Sequence, residues 1–254
     1  ANNANANGGT YAAWNWRANG GTTSTNSNGT LNDTTVQVDP SGGFSIVSYV
    51  GNGTTGTLGH GLSAVPTFYI VRDRNNGNNW VIYSKEAGAT KFGILDNTAA
   101  FNTDGMWNNT DPTSTVFSVR TNTENNGNGR NYIGYFFADV EGYIKTGSYA
   151  ANATTTNNAY IYTGFRPAFV LVKGIVSGAS WTLIDNKRDG FNPTPESLEP
   201  NSAGGSYTSA APFADLLSTG FRVYTTNAVM GSGSYDPYVY LAFAENPFKY
   251  ATAR

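Results

Sequence analysis

The chain has 254 residues, a net charge of −2, only 13% charged residues and 14% aromatics. That balance excludes disorder, whose signature is many charges and few aromatics. It leaves no basic surplus to neutralise phosphates, so no nucleic-acid partner is expected. The chain has no cysteine, which excludes disulfides and thiolate metal sites, and no apolar run approaches the roughly 18 residues of a membrane-spanning helix.

Taken in order, the chain opens at Ala1 with Asn, Ala and Gly and no initiator Met, as expected of a processed product or a piece of a longer polypeptide. Tyr11 to Trp16 (YAAWNW) reads as a compact aromatic strand. Residues 17–43 read as a linker in which only Thr34 to Val38 alternates like a strand. Two readings fit it: a flexible spacer, or an extended arm lying on a neighbouring subunit. Phe44 to Val50 is a predicted strand, followed by a Gly/Thr loop and a hairpin of Phe68–Val71 with Trp80–Tyr83. Lys85 to Asn97 fits a short helix or an irregular strand. Val116–Arg120 and Tyr132–Ala138 are further strands. Phe191 to Pro212 is proline-rich and reads as a long irregular loop, because proline neither continues a helix nor donates to a ladder. Ala214 to Leu217 fits one helical turn, and Tyr238 to Phe243 is the last strand.

The hairpin PTFYIVRDRNNGNNWVIYS at 66–84 returns as PAFVLVKGIVSGASWTLID at 167–185. Pro66, Phe68, Val71, Arg72 and Trp80 fall on Pro167, Phe169, Val172, Lys173 and Trp181 at one offset of 101. Ser48-Tyr49 returns as Ser148-Tyr149, and Val116–Val119 as Gly220–Val223. The closing strand occurs as YAAWNW, as YIGYFFA at 132–138 and as YVYLAF at 238–243. Landmarks in one order, at offsets of about a hundred residues with small gaps in loops, predict a duplication. The expected fold is therefore all-β: two tandem pseudo-repeated, jelly-roll-like β-sandwich units, 44–142 and 143–254, preceded by a segment 1–43 holding an extra strand and an arm. That strand cannot leave Tyr11, Trp14 and Trp16 in water. It needs a sheet edge from its own chain or from a neighbouring subunit; the second option is strand addition and builds a filament unless it closes into a ring. These three residues are the candidate assembly residues, and self-association into a homo-oligomer or filament is the expected partnership.

Candidate chemistry is sparse. His60, the only histidine, lies between two glycines and reads as a loop residue, since no nucleophile motif accompanies it. Asp73 to Asn79 is oxygen-rich around Gly77, but lacks the terminal bidentate glutamate of a calcium loop and reads as a hairpin turn. Asp104 and Asp111, and Asp139 and Glu141, are the carboxylate pairs a glycosidase would need; they read as solvated acids. The most suggestive patch is Trp107, Asn108, Asn109 and Asp111. An aromatic platform beside amides and a carboxylate is what sugar recognition uses; the competing reading makes Trp107 a core residue under a loop. Trp80 and Trp181 read as core. Asn28, Asn32, Asn52, Asn108 and Asn152 begin glycosylation triplets that matter only if the source glycosylates. No catalytic residue, cofactor or metal is expected.

GNGTTGTLGHGLSAVPTFYIVRDR, WVIYSK, WNNTDPTSTVFSV, NYIGYFFADVEGY, YTGFRPAF and AFAENPFK, with YAAWNWRA before them, together resemble the tandem β repeat domain of tail-fibre and other virion appendage proteins of tailed bacteriophages. The second unit departs from the pattern: it lacks the GHGL motif and carries the proline-rich insertion. The resemblance implies a non-enzymatic structural component of a virion or extracellular fibre, contributing to host-surface attachment. The alternative it implies is a carbohydrate- or receptor-binding module with a host-surface glycan as partner; a polysaccharide-degrading tailspike is the third.

Overall fold

Successive side chains of a strand point to opposite faces, so strands such as Phe68–Asp73 and Tyr238–Ala244, apolar at consecutive positions, need cover on both sides. The computed structural model shows how they get it. It describes residues 7–9, 11, 13–152, 159–188, 191–209 and 212–247; residues 1–6 of the Asn/Ala opening, and Phe248 and Lys249 of AFAENPFK, lie outside these.

The described residues are nearly all β. The first half contains β1 (Ser24–Asn26), β2 (Thr34–Asp39), β3 (Phe44–Val50), β4 (Gly56–Gly59), β5 (Phe68–Asp73), β6 (Val81–Ser84), β7 (Gly93–Ile94), β8 (Val116–Val119) and β9 (Asn131–Phe137), with one helical turn α1 (Thr123–Asn126). The second contains β10 (Ile144–Tyr149), β11 (Tyr160–Tyr162), β12 (Pro167–Gly174), β13 (Thr182–Asp185), β14 (Glu196–Ser197), β15 (Tyr207–Thr208), β16 (Ala214–Leu217), β17 (Gly220–Val223) and β18 (Tyr238–Ala244).

Two antiparallel sheets form the centre. One runs β1-β2-β3-β9-β5-β6-β7, the other β10-β18-β12-β13. The order β3-β9-β5-β6 and the order β10-β18-β12-β13 agree strand for strand, and so does the register: Tyr49 faces Tyr132 and Phe68 faces Phe137, as Tyr149 faces Tyr238 and Phe169 faces Phe243. Each central sheet is covered on its outer face by a smaller one, β4-β8 or β11-β17-β16, giving a sandwich in each half. The inner faces of the central sheets pack on each other. Three apolar layers result: one inside each sandwich and one between them, in which Phe44, Phe68 and Phe137 meet Phe169, Trp181 and Phe243.

Both halves repeat the wiring of one corner. Tyr49 stacks on Tyr132 at 5.1 Å, and Tyr149 on Tyr238 at 5.3 Å. The Tyr49 hydroxyl donates to the Asn125 carbonyl at 2.6 Å and the Tyr149 hydroxyl to the Met230 carbonyl at 2.7 Å. Each buried phenol thus closes a long loop and satisfies its own polar atom. Between the halves, Trp181 Nε1 donates to the Ile94 carbonyl at 2.7 Å. Lys173, fully buried, donates to the carbonyls of Thr98 and Ala179; desolvation pushes its pKa down to about 8.

Several expectations need correction. The arm is not a free spacer: β2 pairs with β3 of its own chain, Val36 opposite Val47, and β1 pairs with β2. Residues 13–16 carry no strand; Trp14 and Trp16 instead lay their rings on the inter-sheet layer. Ala214–Leu217 is strand β16, paired with β17, because its register places Ala214 and Leu216 in the core. Lys85–Asn97 resolves into a turn and the two-residue β7. The proline-rich insertion is not wholly irregular, since β14 and β15 form a small ladder within it.

An edge strand is a template for unwanted pairing. In the first half β2 covers the outer edge of β3. At the matching edge of β10, the Ile144 N–H goes to the Val140 carbonyl at 3.0 Å and the Thr146 N–H to Asp139 Oδ1 at 2.9 Å. Lys145 pairs with the same carboxylate at 2.7 Å. A carboxylate and a charged side chain close there what a strand closes elsewhere.

Candidate functional site

The sugar platform expected at Trp107 does not exist. Trp107 is 0% exposed. It sits under its loop in the first core, edge-on to Tyr69 at 4.8 Å. Asn108 and Asn109 are exposed but hold φ of 53° and 49°, the left-handed conformation asparagine tolerates best among residues with a Cβ. They turn the chain. Asp111 accepts from the Tyr83 hydroxyl at 2.9 Å and the Ala89 N–H at 3.1 Å, so it anchors that loop to β6. Burial first, and this carboxylate second, raise the Tyr83 pKa.

Of the other acids named from the sequence, Asp73, Asp104 and Asp139 are tied into the fold. Asp104 accepts from the Met106 N–H at 2.8 Å and from Asn122 Nδ2 at 3.1 Å. Asp139 guards the β10 edge, and Glu141 is exposed. Asp73 is buried in the β5–β6 hairpin, where it accepts from the Asn75 and Asn76 N–H groups and from Arg130 at 3.1 Å. Burial alone would raise its pKa; these donors outweigh burial and hold it below the ordinary carboxylate value. The hairpin-turn reading of this loop matches that geometry.

His60 is 0% exposed and stacks on Phe136 at 5.8 Å. Its Nδ1 accepts the Leu62 N–H at 3.1 Å, and Nε2 lies 3.1 Å from the Thr113 carbonyl. The carbonyl can only accept, so Nε2 carries the proton and the ring is neutral. Burial lowers its pKa to about 4. His60 ties the β4 loop to the Thr113 turn, as expected of a loop residue.

Tyr11 is 55% exposed. Trp16 meets Phe169 edge-on at 5.7 Å, Phe137 at 6.2 Å and Phe243 at 5.1 Å, and Trp14 meets Phe169 at 5.7 Å. Both indoles are half-buried on their own chain, across the end of the inter-sheet layer.

That layer opens into a half-open cleft of about 580 Å³. In the first central sheet Phe44, Phe137 and Phe68 form one cross-strand row, and Ile46, Tyr135 and Ile70 the next. In the second, Phe243 with Phe169 and Leu241 with Leu171 and Leu183 form the corresponding rows. The phenylalanine rows pack together. The cleft lies at the next rows, where Ile46, Ile70 and Tyr135 line it from one sheet and Leu171, Leu183 and Leu241 from the other. Trp80, expected in the core, is half-buried at this cleft, over Tyr135 at 6.4 Å and beneath the Arg72 guanidinium at 5.5 Å. Arg72 lies 3.7 Å from Asp96. The far wall is the insertion: Leu198 bridges to Leu183, and Asn201 Oδ1 accepts the Trp181 N–H at 2.7 Å, holding the exposed turn Glu199–Gly204 across the opening.

Sequence reasoning missed this site. Its one visible signal was the run of apolar residues without alternation in β5, β9, β12 and β18, which says that both faces need cover.

A family model described as a domain of unknown function (DUF7483) matches residues 1–247. No curated protein and no solved structure matches the chain.

Proposed function

We propose that this chain, which belongs to the family described as a domain of unknown function (DUF7483), is a non-enzymatic structural subunit of a tailed-phage virion appendage or extracellular fibre. The observation that carries the reading is the matching strand order and register of β3-β9-β5-β6 and β10-β18-β12-β13 in the two central sheets, joined through one shared apolar layer. A unit duplicated in tandem and fused face to face makes a stiff module, which suits mechanical support and display. The motifs resembling virion appendage repeats lie along the same two halves. The carboxylates a hydrolase would need, Asp104, Asp111 and Asp139, are engaged in turns, a loop anchor and a strand edge.

Electron microscopy of the purified chain, with antibody labelling of virions from the source, tests this. Regular oligomers or fibres and labelled appendages are expected; monodisperse monomers and unlabelled virions reject it. The N-terminal segment serves stability in this reading. Trp16→Ala is expected to cost about 2 kcal/mol in urea unfolding, with assembly size unchanged by light scattering. A shift in assembly size would return the segment to an intersubunit role.

A second reading, attachment to a host-surface glycan, has an observation of its own. Tyr162 is 67% exposed and Tyr160 45% on β11. Tyr160 faces Arg222, which faces Asp215, across the outer sheet. Exposed rings beside polar groups offer stacking and fixed hydroxyl partners. Glycan-array binding that disappears in Tyr162→Ala, at unchanged melting temperature, is the expected result; binding that survives rejects this platform.

A further inference from the structure

We propose that the cleft between the two central sheets binds an amphiphile with a linear apolar tail and an uncharged or cationic head. Its volume of about 580 Å³ falls within the roughly 300–1,000 Å³ of small-molecule sites. Its walls are two facing β-sheets, so the space is a slot. Its floor from β3, β5, β12, β13 and β18 is Ile46, Ile70, Leu171, Leu183 and Leu241, none of which offers a hydrogen bond, and Tyr135, Trp14, Trp16 and Trp80 add aromatic rings with one polar tip each. A polar ring system would lose its hydration there without replacement; a hydrocarbon tail loses nothing.

The cleft is half-open, so water covers its apolar walls until a ligand enters, and burying that surface against a hydrocarbon tail is favourable in proportion to the apolar area covered. The apolar surface it exposes is also far smaller than the roughly 800 Å² per partner that a specific protein interface buries. The walls therefore suit a small molecule better than a second chain.

The mouth selects the head. Glu199, Ser202 and Gly204 of the insertion lie at the opening. The nearby cation, Arg72, lies over the Trp80 face and 3.7 Å from Asp96, outside the lining of the cleft. Among the described residues, the charged side chain in the lining is Glu199, whose carboxylate repels an anionic head and accepts a hydroxyl or a cation. One wall of this site, made by Leu198, Glu199, Pro200, Ser202 and Gly204, comes from the proline-rich insertion, the part of the second half that departs from the repeat.

The test is a fluorescence titration of the full chain with N-phenyl-1-naphthylamine, a neutral apolar dye. Competitors are dodecyl maltoside, dodecyltrimethylammonium and laurate, each below its critical micelle concentration. The expected result is saturable dye binding, displacement by the neutral and cationic dodecyl compounds, and about tenfold weaker displacement by laurate. Ile70→Trp, which fills the slot, is expected to weaken dye binding about tenfold or more without lowering the melting temperature. Leu198→Trp, on the insertion wall, is the second filling variant should Ile70→Trp fold poorly. Glu199→Gln is expected to narrow the laurate gap. Absence of dye binding, equal binding by both filling variants, or a laurate gap that Glu199→Gln leaves unchanged overturns the proposal. A dimer that sedimentation shows and Ile70→Trp dissociates overturns it too, and assigns the face to a second copy.

Discussion

Trp181→Ala is expected to lower the stability of the chain by about 3–5 kcal/mol, the range for deleting a fully buried large aromatic. Trp181 is 1% exposed, meets Phe68 at 6.5 Å and Phe101 at 6.2 Å, and donates to the Ile94 carbonyl. All three partners belong to the other half. The substitution therefore opens a void in the layer joining the two sandwiches and leaves a buried carbonyl unpaired, each a named route to a large effect. Trp80→Ala, at the position one offset away, is expected to cost about 1.5 kcal/mol or less, because Trp80 is half-buried at the cleft. Urea unfolding of both variants measures the contrast. Calorimetry adds a second reading: weakening the shared layer is expected to broaden or split the transition as the halves lose their coupling. Equal costs at the two positions would remove the asymmetry on which the description of the cleft rests.

Acid is the second large lever. His60 is neutral in the fold with a pKa near 4, against 6.5 for the free side chain. Above pH 6.5 neither state binds the proton and the neutral ring keeps its full contribution. As pH falls through 6.5 the unfolded chain takes up a proton that the folded chain refuses, so stability drops until about pH 4, where the folded ring also titrates. At about 1.4 kcal/mol per unit the loss is roughly 3 kcal/mol. Urea unfolding of wild type and His60→Gln between pH 7.5 and 4 checks this. The variant is expected to be less stable at neutral pH, since Gln cannot reproduce both the Phe136 stack and the two hydrogen bonds. Its curve should nonetheless be flatter across that window, and the difference between the curves isolates the histidine from the carboxylates. Parallel curves would mean that His60 is reached by solvent in the fold.

How much of this was legible in the residues differs from element to element. The hairpins at 66–84 and 167–185 could be read because they are local: a turn former, two apolar runs and a tryptophan sit within one window. The strands of the arm could be half read. Thr34 to Val38 alternated visibly, but alternation names a strand without naming its partner, and only the ladder to β3 showed that the arm closes its own chain's edge. YAAWNW misled because aromatic residues suit a strand and a docked coil equally. Trp14 and Trp16 are placed by the phenylalanines beneath them, and those come from β9, β12 and β18. Trp107 misled for the opposite reason. Asn, Thr and Asp around it suggested a wet surface, yet those residues make the turn, and the indole points inward from it.

The amino-acid order by itself determined the all-β character and the matched landmarks of the two halves. Both rest on side-chain alternation and turn chemistry, which act over a few residues and leave their mark in any short stretch. Tertiary structure alone decided which faces met. Whether an apolar row such as Ile46, Tyr135 and Ile70 is sealed like the phenylalanine row beside it, or stands open as the wall of a cleft, depends on how far two sheets diverge. That separation is set by packing between residues about a hundred positions apart, and no local pattern encodes it.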